Sequence, residues 1–183
     1  MSTSPTGHTT PAGVGVLPTP KQQFLDAYER EHQITMRLLR AYPADKLELR
    51  PHPKCKTARE LAWMFAGERA LGTAVLNNWY ATNKPGQGQM PQAPADWEDL
   101  LAAIEKAHTD YRAVVESFSD AQLMENVKFF SAPKTMGDYQ RIGFMWFLLS
   151  DQIHHRGQFS IYSRMADGKV PSIYGPSADE PWN

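Results

Sequence analysis

A chain of 183 residues with 42% hydrophobic and 21% charged side chains can pack one domain and is too apolar to stay disordered. Nineteen Lys and Arg against 20 Asp and Glu leave a formal charge of -1, which excludes the basic excess of a dedicated nucleic-acid binder. The single cysteine, Cys55, excludes an internal disulfide framework and a Cys-rich zinc site, and points to a reducing compartment.

Residues 1–19 are rich in Ser, Thr, Pro and Gly and read as a flexible arm ahead of one domain over 20–183. The stretch from Met1 to Pro20 has no Lys or Arg and no apolar core, so a secretory signal is not expected. A first helix fits Pro20 to Ala41, where Phe24, Tyr28, Leu38 and Leu39 recur at helical spacing before Pro43. Pro43, Pro51 and Pro53 make 43–56 an extended connection. Thr57-Ala58-Arg59-Glu60 is a capping box opening a second helix, which carries Leu61, Met64, Phe65, Leu71 and Val75 and fades near Asn77 to Tyr80. Residues 82–95 read as a loop, and a third helix fits 96–118 with Trp97, Leu100, Leu101, Ile104, Tyr111 and Val114 or Val115 inward.

Ser119-Asp120 and Pro133 bracket a stretch that reads as a loop and includes Phe129-Phe130. The last helix is predicted from about Met136 to Ala166. Its apolar residues crowd nearly all the way round, the mark of a central helix. Asp167-Gly168 and Pro171 end it, and Ile173, Tyr174 and Trp182 give the remaining tail something to bury. No segment alternates with the period of a strand. The longest apolar run, Phe144 to Leu149, falls far short of the ~20 residues that span a bilayer. The expectation is an all-α four-helix bundle with a docked C-terminal tail, cytoplasmic, with no membrane or nucleic-acid partner.

Polar residues on apolar stripes carry the functional signal. Asp151 and His155 lie one turn apart on a face shared with Phe144, Leu148 and Tyr162, with Cβ atoms ~5–6 Å apart. Such a pair can chelate Zn, Ni, Fe or Mn, can act as a carboxylate-oriented general base, or can form a plain Asp–His or Asp–Arg156 hydrogen bond. His154 points about 100° away from His155 around the helix. Glu68, one turn after Met64, either satisfies local groups, binds a cation or reaches water at the stripe's edge. His32, beside Glu31 and Thr35, reads as a satisfied structural residue. His8, His52 and His108 read as surface or loop residues. Cys55, between Lys54 and Lys56, lacks the partners of a nucleophile. Asp179 and Glu180 either fold over a pocket mouth or stay solvated.

The run Asp151-Gln152-Ile153-His154-His155-Arg156-Gly157-Gln158, followed by Pro171-Ser172-Ile173-Tyr174-Gly175-Pro176-Ser177-Ala178-Asp179-Glu180, resembles the DinB-like (YfiT-like) metalloenzyme superfamily. Thr57 to Trp63 looks like the start of that family's second helix, and the resemblance covers about residues 20–182. It implies a bundle, often a homodimer, holding a divalent metal on one second-helix His and two last-helix residues four apart, typically both His. By position these fall on Met64, Asp151 and His155, so the pattern is kept in full only at His155. A carboxylate at 151 is an acceptable ligand, whereas the Met64 thioether is a weak donor to Zn or Ni, leaving a degenerate site unless Glu68, His32 or a tail carboxylate completes it. The resemblance further implies a metal-dependent transferase or hydrolase. It would use Zn, Ni or Mn and a small-molecule substrate such as a low-molecular-weight thiol, with Glu68 or His154 moving protons and Phe65, Phe144, Phe147 and Tyr162 walling the pocket. The alternative is a non-catalytic dimeric bundle or ligand-binding protein that has lost its metal.

Overall fold

The computed structural model describes residues 17–83 and 91–182. Most of the predicted arm (1–16) and part of the predicted loop (84–90) lie outside the described residues.

Three of the four long helices start where a side chain satisfies free backbone donors; the last, Arg141–Met165, has no such cap. Helix α1 (Pro20–Arg40) begins with Thr19 accepting from the Gln22 amide and with Pro20 in the first turn. Helix α2 (Ala58–Leu76) has the complete reciprocal Thr57–Glu60 capping box. Asp96 accepts from the amides of Glu98 and Asp99 to start α3 (Trp97–Ser117). A one-turn helix, α4 (Asp120–Leu123), follows under a Ser119–Gln122 box. Strands β1 (Asn126–Ala132) and β2 (Thr135–Gln140) form an antiparallel hairpin, and α5 (Arg141–Met165) closes the bundle.

The hairpin corrects the sequence expectation of a loop running into a helix from Met136. Val127 pairs with Tyr139 and Phe129 with Gly137, around a turn in which Lys134 takes φ 62°. Two side chains hold it. Phe129 packs 4.8 Å (ring centroids) from Phe144, and the Lys128 amide donates to Asn78 Oδ1 at the end of α2. Arg141 then ties three elements, donating to the carbonyls of Leu76 and Gln122 and to the Glu125 carboxylate.

Two apolar clusters fill the bundle. One gathers Met36, Leu39, Leu61, Phe65, Ile104 and Phe159; the other gathers Phe24, Tyr28, Val75, Tyr111, Phe144 and Leu148. A Cβ on Gly72 would lie 2.6 Å from both Leu148 and Tyr111, so this glycine lets α2 approach α3 and α5. On all four long helices the residues between the clusters are polar and buried: Glu31, His32 and Thr35 on α1, Glu68 and Arg69 on α2, His108 on α3, Gln152 and Arg156 on α5. The core is therefore two apolar halves with a polar layer across the middle.

Two further expectations are corrected. Helix α5 is not enclosed: Trp146, Phe147, Ile161 and Met165 remain 40–59% exposed on its outer side. The tail is docked by polar contacts rather than aromatic burial. Trp182 and Tyr174 are largely exposed, while Glu180 meets Arg37 at 3.1 Å and Asp179 meets Arg164 at 2.5 Å. The Tyr174 hydroxyl donates to Glu31 (2.6 Å) and accepts from Arg156 (2.5 Å), tying the tail to the polar layer.

Candidate metal centre

Glu68 on α2 and Asp151 and His155 on α5 each direct one donor atom to a common region, all within 4.8 Å of one another. Helical spacing places Asp151 and His155 together, and the packing of α2 on α5 brings Glu68 to them. Glu68 is 4% exposed, which settles the choice left open by its sequence position: it does not reach water. His155 Nδ1 lies 2.5 Å from Glu68 Oε1, yet Nδ1 and both Glu68 oxygens are buried without a partner in hydrogen-bond geometry. Donor atoms gathered this closely from two carboxylates and an imidazole suit a cation. Burial raises the Glu68 carboxyl above its ordinary range, and contact with Glu68 raises the His155 imidazole. A divalent ion bound here would compete with protons for both groups.

A cleft of about 410 Å³ opens beside His155. Its walls are Cys55, Lys56 and Leu61 on one side and Gln158, Ile161 and Tyr162 on the other. Of the pocket residues expected from sequence only Tyr162 lines it. Phe65 and Phe144 are fully buried in the two apolar clusters, and Phe147 points outward.

A family model matches residues 15–182 under the description DinB family. The chain belongs to the DinB family. It is 25% identical over 158 residues to a protein of Bacillus subtilis (strain 168) described as uncharacterized protein YrdA, across 86% of this chain and 89% of that one. A DinB-like protein from Bacillus cereus ATCC 10987 superposes with a TM-score of 0.66 at 22% identity, covering 82% of this chain and 95% of its own. A second, YjoA from Bacillus subtilis, gives 0.63 at 17% identity, over 80% and 93%. These two likenesses concern the fold.

Within this DinB fold the remaining candidates fall as follows. Met64 is half-buried one turn before Glu68, and it is the Glu68 carboxylate that joins Asp151 and His155. His154 is exposed outside the three-donor group, its ring 5.7 Å from that of His155 and its Nε2 accepting from Gln158. His32 is buried and fully engaged: Arg69 donates to its Nδ1, and its Nε2 donates to Glu105. His108 is not a surface residue. It is buried, stacked 3.7 Å from His32, with Nε2 donating to Glu29. Its sequence signal was the gap between Ile104 and Tyr111 on the inward stripe of α3. Arg156, a possible partner of Asp151 by spacing, pairs instead with Glu31 at 2.8 Å. Asp179 and Glu180 are held by Arg164 and Arg37, outside the three-donor group.

Proposed function

We propose that this DinB protein is a metal-dependent enzyme acting on a small molecule, with Glu68, Asp151 and His155 as the metal ligands. The supporting observation is the convergence of two carboxylates and one imidazole, with buried donor atoms unpartnered, beside an open cleft. Oxygen-rich donors with one nitrogen favour Mn²⁺ or Zn²⁺ over soft ions. Such an ion would lower the pKa of a bound water or thiol, the basis of hydrolase or S-transferase chemistry. The chain supplies the rest. Leu61 and Tyr162 shape an apolar wall, and Lys56 sets a positive charge at the cleft that favours an anionic substrate such as a low-molecular-weight thiol. Tyr162 is itself fixed by donating to the Lys56 carbonyl.

The competing reading is a non-catalytic bundle in which Glu68 and His155 are a structural ion pair, favoured by their 2.5 Å approach. Metal analysis of protein purified without a His-tag separates the two. The enzyme reading expects about one Mn²⁺ or Zn²⁺ per chain, lost in Glu68→Gln, Asp151→Asn and His155→Gln and retained in Met64→Leu. Metal-free protein that takes up neither ion at micromolar concentration sinks it.

A further inference from the structure

The two helices that carry the candidate ligands share a second feature. On each, a ligand is followed directly by a buried arginine: Glu68 by Arg69 on α2, and His155 by Arg156 on α5. Each arginine is 1% exposed, and they are the largest fully buried side chains among the described residues. Both turn to α1. Arg69 donates to the Tyr28 hydroxyl at 3.0 Å and to His32 Nδ1 at 3.1 Å, with the Ile104 carbonyl of α3 at 3.5 Å. Arg156 donates to the Glu31 carbonyl at 3.2 Å and meets the Glu31 carboxylate at 2.8 Å. Helix α1 supplies no member of the three-donor group, yet it holds the residue next to a ligand on both helices that do.

Stability alone does not account for this. A buried ion pair seldom contributes more than a well-packed apolar pair of the same volume, because desolvation offsets the attraction. What a held guanidinium supplies is direction, since its donors form a planar fork that accepts one orientation. Consecutive residues on a helix point about 100° apart. Fixing Arg69 or Arg156 on α1 therefore fixes the rotation of α2 or α5 about its own axis, and that rotation sets where Glu68, Asp151 and His155 point. A turn of about 10° carries an atom ~6 Å from the axis through about 1 Å. That is several times the ~0.2 Å tolerance of a metal–ligand bond.

The C-terminal tail enters the same cluster. Tyr174 is 62% exposed, but its hydroxyl reaches inward, donating to Glu31 at 2.6 Å and accepting from Arg156 at 2.5 Å. Beyond it the tail is held by Asp179 on Arg164 and by Glu180 on Arg37. Tyr174 thereby joins a surface segment to the arginine beside a ligand.

We infer that Arg69 and Arg156 are positioning residues of the metal centre, aimed by α1, and that Tyr174 makes the aim of His155 depend on the docked tail. This rests on Glu68, Asp151 and His155 being metal ligands. Coupling of this kind is reciprocal: the docked tail tightens metal binding, and a bound ion steadies the tail by the same factor.

Mn²⁺ alone, titrated into the metal-free full chain and followed by electron paramagnetic resonance, tests this. Tyr174→Phe removes one oxygen from an exposed ring, leaves the fold intact by circular dichroism and weakens Mn²⁺ binding about tenfold. Arg69→Met weakens it by at least as much. The decisive variant is Arg156→Met with Glu31→Gln, which removes both charges of the pair together. A role in stability alone would restore Mn²⁺ affinity along with the urea midpoint. Positioning leaves the affinity at least about tenfold below wild type, and changes the visible absorption of the Co²⁺-loaded protein. Wild-type affinity in the double variant, or in a folded Arg69→Met, overturns the inference and leaves the three ligands standing. Wild-type affinity in Tyr174→Phe overturns the coupling to the tail. Wild-type protein that binds neither Mn²⁺ nor Zn²⁺ overturns the ligand assignment, and this inference with it.

Discussion

Glu31 and Arg156 show what a single contact is asked to do. Both are buried, their charges 2.8 Å apart, and the Tyr174 hydroxyl completes the cluster. Burial would raise the Glu31 carboxyl, but Tyr174 and Arg156 outweigh it and hold Glu31 below its ordinary range. Removing one partner leaves an uncompensated charge. Arg156→Met is therefore expected to cost about 3 kcal/mol in urea unfolding, and adding Glu31→Gln to recover much of that loss. A double variant that costs as much as the two single variants added together would show that the pair is not coupled. Single residues were legible in sequence where spacing alone decides: Asp151 and His155 share a face because they are four apart. Glu68 was ambiguous because its surroundings depend on how closely α2 and α5 approach, a distance set by Gly72 and not by anything next to Glu68.

At the scale of elements, helices were readable because caps are local. Thr57-Ala58-Arg59-Glu60 forms the box its letters predict, and no distant contact is needed. The hairpin was unreadable for the opposite reason. Only Val127 on β1 is fully buried, so its alternation is too short to register, and its stability comes from Phe144 and Asn78 across the fold. Its turn carries a cost that the sequence does show afterwards. Pro133 is followed by Lys134 at φ 62°, a left-handed position that glycine fills without strain. Lys134→Gly is expected to raise stability by about 0.5–1 kcal/mol. A loss in thermal or urea unfolding would mean that the Lys134 side chain makes a contact worth more than the relief.

Across the whole molecule, the buried polar layer makes stability depend on pH. Burial, with the Arg69 guanidinium beside it and the His108 ring against it, holds the His32 pKa down to about 3. Glu29, Glu105 and Arg40 are its other charged neighbours. Burial lowers His108 as well. A histidine whose folded pKa lies below its unfolded value stays neutral in the fold while the unfolded chain takes the proton. Its contribution is whole above pH ~6.5 and is lost as pH falls toward the folded value. For His32 the loss is about 2 kcal/mol between pH 7 and pH 5. His155 works in the other direction, because Glu68 raises its pKa, so the slope of the wild type alone mixes the two. The difference between wild type and His32→Gln isolates the layer, and urea midpoints at pH 7, 6 and 5 should converge as pH falls. Glu29 and Glu31, both held below their ordinary range, are lost only in a lower window, beneath pH ~4.5. Parallel lines from pH 7 to 5 would mean that water reaches His32 and lets it charge inside the fold. Four helices would then enclose a wetter centre than the packing of His32 between Arg69 and His108 implies.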